Sequence, residues 1–347
     1  MLKKMNKTTK NNLITYAMVI LAFVIMQILI SAGSISSLLQ GLMVPLCTYI
    51  ILAVSLNLVV GILGELSLGA FFSKCTRDVI ASDGLRFFLA LLIGIVTAAI
   101  FGMLIGIPVL RLKGDYLAIV TLAFGEIIKN MVNVLYIGKD SKGFHVTTKD
   151  VMALNMDADG TVILNGPQGI TGTPKNSTFV IGFILILLTL FIVQNLINSR
   201  DGRAIMAIRD NRIAAESIGI NITKYKLMAF TISAAMAGAA GVLYAHNIST
   251  LTANTNNFGY NMSITILVFV VLGGIGNIRG SIIAAVILTL LPELLRGMKD
   301  YRMLIYAIVL IVMMLFNWSP KAIEWREKLN DWRKKHFSFG KKAKEVE

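Results

Sequence analysis

The chain is short of acidic residues, of cysteine and of proline. Asp and Glu number 19 against 33 Lys and Arg, a formal net charge of +14. Cys47 and Cys75 are lone cysteines, Cys47 inside an apolar run, so neither a disulfide framework nor a thiolate metal site is implied. His145, His246 and His336 are scattered without ligand spacing, and no metal is expected. The spacing G-x-x-x-x-G-K-[ST] occurs nowhere, which excludes a phosphate-cradling loop and ATP hydrolysis by this chain itself. No cofactor is expected. Paired carboxylates or histidines at membrane depth, the mark of a membrane-embedded enzyme, are not evident.

What is there is apolar. Hydrophobic residues make up 56% and charged residues 15% of 347 residues, and the mean hydropathy is +0.73. No soluble domain of this size needs that much apolar surface. Apolar runs long enough to span a bilayer lie near 13–32, 42–63, 87–110, 116–136, 179–197 and 227–246, with two more within 263–295 and a last near 303–318. Such runs are too long for barrel strands, and backbone in hydrocarbon must be helical or a closed barrel. The expected fold is therefore all-α, a polytopic transmembrane helix bundle of about 8–9 crossings. The first run lacks a small-residue cleavage site and reads as a retained helix rather than a signal peptide.

The basic residues cluster in 1–12, 200–226 and 321–342, which points to positive-inside topology and contact with lipid phosphates rather than nucleic acid. The reading is a transmembrane domain over 1–318, with a cytoplasmic loop at 200–226 and an external loop at 137–178, then a basic cytoplasmic tail at 319–347. Both termini are expected in the cytoplasm. The loop charges demand a crossing between Gly64 and Arg86. The apolar stretch there, 66–73, is too short to span, and Lys74, Arg77, Asp78, Asp83 and Arg86 surround or follow it. The expectation is a short re-entrant or kinked piece at Glu65–Ser73, with Ser82 and Ser141 both outside.

The segment Arg209–Gly219 reads as a short amphipathic helix. Ile205, Ile208, Ile213 and Ile218 fall near one face, with Arg203, Arg209, Arg212 and Glu216 around the rest. Small Ala214 and Ala215 would let another surface approach closely, and Gly219 fits a helix stop. Asn57, Thr121 and Glu126 are polar residues within apolar runs, and Glu65 and Ser67 lie between Gly64 and Gly69. Each is a candidate for lining a pathway. The competing readings are interhelical hydrogen bonding for Asn57, a tight turn for Glu65 and Ser67, and an ion pair with Lys129 for Glu126. Gly102 and Gly106 form a small-xxx-small pair suited to helix packing. Gly273, Gly274 and Gly276 with Arg279 suggest a turn between two short helices.

Six motifs stand in order: Gly64-Glu-Leu-Ser-Leu-Gly69, the stretch from Leu110-Arg-Leu-Lys-Gly-Asp-Tyr116 to Glu126, Asn165-Gly-Pro-Gln-Gly-Ile170, Gly202-Arg-Ala with Ala-Ile-Arg209 and Ala214-Ala-Glu-Ser-Ile-Gly-Ile220, Val271-Leu-Gly-Gly-Ile-Gly-Asn277, and Asp300-Tyr-Arg-Met-Leu-Ile-Tyr306. Together they resemble the membrane permease subunit of branched-chain amino-acid ABC transporters, from about Leu42 to Trp318. The resemblance implies an ATP-driven importer of leucine, isoleucine or valine in a bacterial plasma (inner) membrane. It implies four kinds of contact: a second homologous permease, two cytosolic ATPase subunits, an extracytoplasmic amino-acid-binding protein, and membrane lipid. It also makes Arg203–Gly219 a coupling element that docks into an ATPase, although Ile213 takes the place of that motif's Glu. The family pattern places a full helix, opening with His and small residues, directly after the first motif. Here Gly69 runs into Ala70-Phe-Phe-Ser-Lys-Cys75, so about one helix of sequence is absent and one crossing fewer than the family's is expected. Two other classes remain at this stage. A permease for urea, an amide or a sugar would share these motifs, and a self-sufficient secondary transporter would need inverted repeats and several buried ionisable groups.

Overall fold

The computed structural model describes residues 7–33, 36–58, 68–76, 82–110, 112, 115–157, 160–252, 259–297 and 301–318. It divides into two units, Met1–Val286 and Ile287–Glu347. Helices dominate: α1 (Lys7–Ser31), α2 (Ser37–Leu58), α3 (Leu68–Cys75), α4 (Asp83–Val109), α5 (Asp115–Val134), α6 (Phe179–Asn198), α7 (Arg200–Asp210), α8 (Arg212–Ser217), α9 (Ile222–Ile248), α10 (Tyr260–Gly273), α11 (Ile278–Leu294) and α12 (Arg302–Trp318). Among the described residues six helical stretches are long and apolar enough to cross a membrane, including Ser37–Leu58, Asp83–Val109 and Ile222–Ile248. The protein is a multi-pass membrane protein with an all-α membrane domain. The second unit contains α12 and a surface ion pair between Glu293 and Arg296 at 2.9 Å.

The first unit is organised around α9. Its alanines 229, 234, 239, 240 and 245 are buried, and small residues let neighbouring backbones come close where lipid supplies no hydrophobic drive. Against α4 the approach is tightest at Gly238, where a Cβ would sit 2.5 Å from the Gly94 carbonyl oxygen. Gly106 meets Leu227 and Phe230 at one end of this contact, and Phe87 packs edge-on against His246 at the other, with ring centroids 5.1 Å apart. Thus α4 runs antiparallel to α9. So does α2: Ser233 Oγ donates to the Ser55 carbonyl at 2.8 Å, while Tyr49 lies near Tyr244. Phe23 of α1 stacks on Phe183 of α6 at 3.8 Å.

These pairings bear on the crossing that the loop charges demand between Gly64 and Arg86, where residues 59–67 and 77–81 lie outside the described residues. Because α2 and α4 both run antiparallel to α9, they are parallel to each other, and the chain between them must traverse the bundle. Cys75 marks the far end, since its carbonyl accepts from Lys139 Nζ at 3.3 Å. A re-entrant piece would have returned it to the end where α2 stops. In place of a full helix stands the 8-residue α3, packed between α4 and α9. The charges are compatible with passage because Lys74 lies at the end of α3, not at its middle. Its ammonium donates to the carbonyls of Val162 at 2.8 Å and Ile163 at 3.3 Å.

Those carbonyls belong to a small antiparallel sheet that caps this end of the bundle. Its strands are β1 (Tyr136–Asp140), β2 (Gly143–Thr147), β3 (Thr161–Asn165), β4 (Ile170–Thr171) and β5 (Thr250–Leu251), in the order β2-β1-β3-β4-β5. The loop expected at 137–178 is partly sheet, completed by residues that follow α9. Leu164, Ile170, Leu251 and Ala245 of α9 form its buried contact with the helices.

Candidate functional site

The end opposite the sheet carries α7 and α8, where the sequence places its coupling candidates. The chain reverses sharply after α6. Ser199 Oγ caps α7 by accepting from Gly202 N at 3.0 Å, and a Cβ at Gly202 would lie 2.0 Å from the Leu196 carbonyl oxygen. Arg203 Nη1 donates to the Asn198 carbonyl at 3.1 Å, fastening α7 to the end of α6. The expected single helix is two helices. Asn211 leaves the helical region (φ −153°, ψ 105°) and caps α8, its Oδ1 accepting from Ala214 N at 3.0 Å. At the far side Gly219 has φ +84°, where residues with a Cβ are strained, and stops α8 as the sequence suggests.

The break at Asn211 re-aims the side chains. Ile208, Ala215 and Ile222 form a buried cluster with Ile220 and Tyr225 packed on it. Ala215 is thus consumed inside this chain, a correction to its expected place on a docking face. Ile213 and Ile218 turn outward, 81% and 74% exposed, although Ile208 on the same presumed face is 5% exposed. Ala214, Arg212, Glu216 and Gly219 are exposed beside them. Arg209 pairs with Asp210, with Nη2 to Oδ1 at 2.9 Å, and its Nη1 lies near the turn at Gly276. The outcome is a short, rigidly capped helix that presents two bare isoleucines among charges.

The turn near Arg209 is the one read from Gly273, Gly274 and Gly276. Gly273 and Gly280 touch backbone to backbone, since a Cβ on Gly280 would fall 1.7 Å from the Gly273 oxygen. Asn57 secures this turn to α2. Its Oδ1 accepts from Gly276 N at 2.7 Å and its Nδ2 donates to Ser281 Oγ at 3.0 Å. Arg279 Nε donates to Thr15 Oγ1 at 2.6 Å, bringing α1 to the same end. Sequence reasoning missed Ser281, Arg279 and Thr15 as partners, because polar residues so distant in the chain carry no shared local signal. Of the other pathway candidates, Thr121 and Glu126 lie on α5. Glu126 is ion-paired with Lys129, whose side chain is 10% exposed against 34% for Glu126. Glu65 and Ser67 lie outside the described residues. Of the small-xxx-small pair, Gly106 faces α9, yet the closest backbone approach of α4 to α9 is at Gly94 and Gly238.

A family model described as the permease component of the branched-chain amino acid transport system matches residues 38–316. The chain belongs to this family of ABC transporter permeases. It is 34% identical to the high-affinity branched-chain amino acid transport system permease protein LivM of Salmonella typhimurium, an alignment covering 91% of this chain and 75% of that protein. The Escherichia coli LivM is 32% identical over the same shares. The fructose import permease protein FruG of Bifidobacterium longum is 26% identical over 71% of each chain. No solved structure matches. As a family permease the chain is a transport subunit that works with other ABC subunits. Its α7–α8 end and its sheet end are the two surfaces of the first unit that lie beyond the membrane-crossing helices.

Proposed function

We propose that this permease forms the translocation pathway of an ATP-driven importer of leucine, isoleucine and valine together with a second homologous permease. Two cytosolic ATPase subunits hydrolyse the ATP, and α8 seats in a groove on one of them. An extracytoplasmic amino-acid-binding protein delivers substrate at the sheet end, and α7–α8 and both termini lie in the cytoplasm. The observation that carries the coupling role is the pair Ile213 and Ile218, exposed on a helix whose other side is locked into the bundle. Bare isoleucines on a fixed helix suit helix-in-groove docking, and their rigid footing through Ala215 and Ile222 lets movement of a partner pass to α9. The basic character of 200–226 favours the cytoplasmic side.

Membership in the branched-chain family and the LivM similarity support the substrate. The FruG similarity favours a sugar as the second reading. Proteoliposomes containing the full set of subunits decide between them. Labelled leucine should accumulate only with ATP, and unlabelled isoleucine or valine should compete. Competition by fructose and none by isoleucine would replace the amino-acid reading with the sugar one.

A further inference from the structure

One edge of the sheet is the strand β2. In the β1–β2 register Ile137 stands opposite Val146 and Lys139 opposite Phe144, so these four side chains share one face. That face is turned toward the bundle: Ile137 packs on the cluster containing Ala245 of α9, and Lys139 reaches the carbonyl of Cys75 at the end of α3. The other face carries Gly138, which lies against Leu154 and Met156, and the pair His145–Asp140, with Nε2 to Oδ2 at 2.9 Å. β2 is the outermost strand of the sheet. Phe144 and Val146 therefore point toward the membrane side of the sheet yet remain 59% and 63% exposed.

We infer that the β1–β2 hairpin is a membrane-surface anchor, with Phe144 and Val146 dipping into the lipid interface at the sheet end. Two observations select lipid as the occupant. The direction is fixed by the shared face with Ile137 and Lys139. The strand follows directly on α5, whose last two turns expose Ile127, Met131 and Val134 in one stripe at 53%, 68% and 51%, so the hairpin continues an apolar belt. Charge does not select the headgroup: Lys139 is held by the Cys75 carbonyl and Lys142 by Asp157, and Lys149 is followed by Asp150. The depth is limited by the backbone. The outer edge of β2 presents unpaired N–H and C=O groups that must stay at hydrated headgroup level, so only the side chains enter the acyl region.

The test uses the full chain in nanodiscs of zwitterionic lipid with and without phosphatidylglycerol, with Cys75→Ser and the buried Cys47 retained. Phe144→Cys and Val146→Cys, made separately and labelled with a nitrobenzoxadiazole dye, should both be quenched by lipid spin-labelled at carbon 5 of the acyl chain. Thr147→Cys, on the opposite face, should be quenched by aqueous iodide instead. Iodide quenching at Phe144→Cys and Val146→Cys, without quenching by the spin-labelled lipid, would overturn the anchor. Protection that develops only when a second permease is co-assembled would also overturn it, and would assign the face to a protein partner.

Discussion

The amide of Asn57 holds Gly276 from across the bundle. Its Oδ1 takes the Gly276 N–H at 2.7 Å, and its own N–H groups reach Ser281 at 3.0 Å. A side chain that satisfies a strained glycine turn in this way acts as interhelical glue. The helix α2 and the turn beside Arg209 are consequently one mechanical piece, which matters for any force entering through α7 and α8.

Asn57→Leu should therefore lower stability by about 1–3 kcal/mol, on the scale of two hydrogen bonds in a membrane protein. Reversible unfolding in bicelles measures it. Unchanged stability together with a raised KM for substrate would show that Asn57 lines the pathway.

The Glu126–Lys129 pair makes a similar statement on α5. Lys129→Met leaves a carboxylate at membrane depth without its cation and should destabilise by about 2–3 kcal/mol. The double variant Glu126→Gln with Lys129→Met should recover most of that loss. Failure of the double variant to recover, with folding intact and transport abolished, would give Glu126 a role beyond its partner.

Asp140 closes the β1–β2 hairpin. Burial pushes its carboxyl upward, but hydrogen bonds from the N–H groups of Lys142 and Gly143, from His145 and from Asp157 N outweigh this and hold it below its ordinary value. A depressed folded value means the stabilisation is complete above the unfolded aspartate range of about 4 and is lost as pH falls through the folded value. Hydrogen exchange of residues 136–147 should be flat from neutral pH to about 4 after correction for intrinsic rates, then rise in stronger acid. Asp140→Asn should remove that acid step. Hairpin protection that declines between pH 7 and 5 in the native chain, and survives in Asp140→Asn, would contradict this.

The parallel course of α2 and α4 gives a topological prediction. In sealed membranes, cysteines at Ser82 and Ser217 on a Cys-less background should react from opposite sides. Reaction of both from one side would mean that the chain does not traverse between Leu58 and Asp83.

How much of this was legible beforehand follows from the range of each signal. The spanning helices and the stop at Gly219 are local patterns, and the sequence displays them directly. The sheet is not local: β4 pairs with β5, whose Thr250 and Leu251 arrive only after four further helices. Ala215 was assigned outward because an unbroken helix was assumed from Ile205 to Ile218. The extended Asn211 resets the phase, and no periodicity argument carries across such a break. The loop charges demand a passage between Gly64 and Arg86, but do not say how a charged segment makes it. Lys74 was counted as a charge within the membrane, whereas two carbonyls of β3 receive it at the end of α3.

The central claim is that α8 transmits the ATPase stroke through Ile213 and Ile218. The direct measurement is ATP-driven leucine uptake by the reconstituted transporter carrying Ile213→Glu or Ile218→Glu. Both side chains point away from the bundle, so thermal stability and membrane insertion should match the unmodified chain. Removing a docking anchor costs about 2 kcal/mol, so uptake should fall roughly thirtyfold while the ATPases bind nucleotide normally. Uptake at the unmodified rate in both variants would contradict the account.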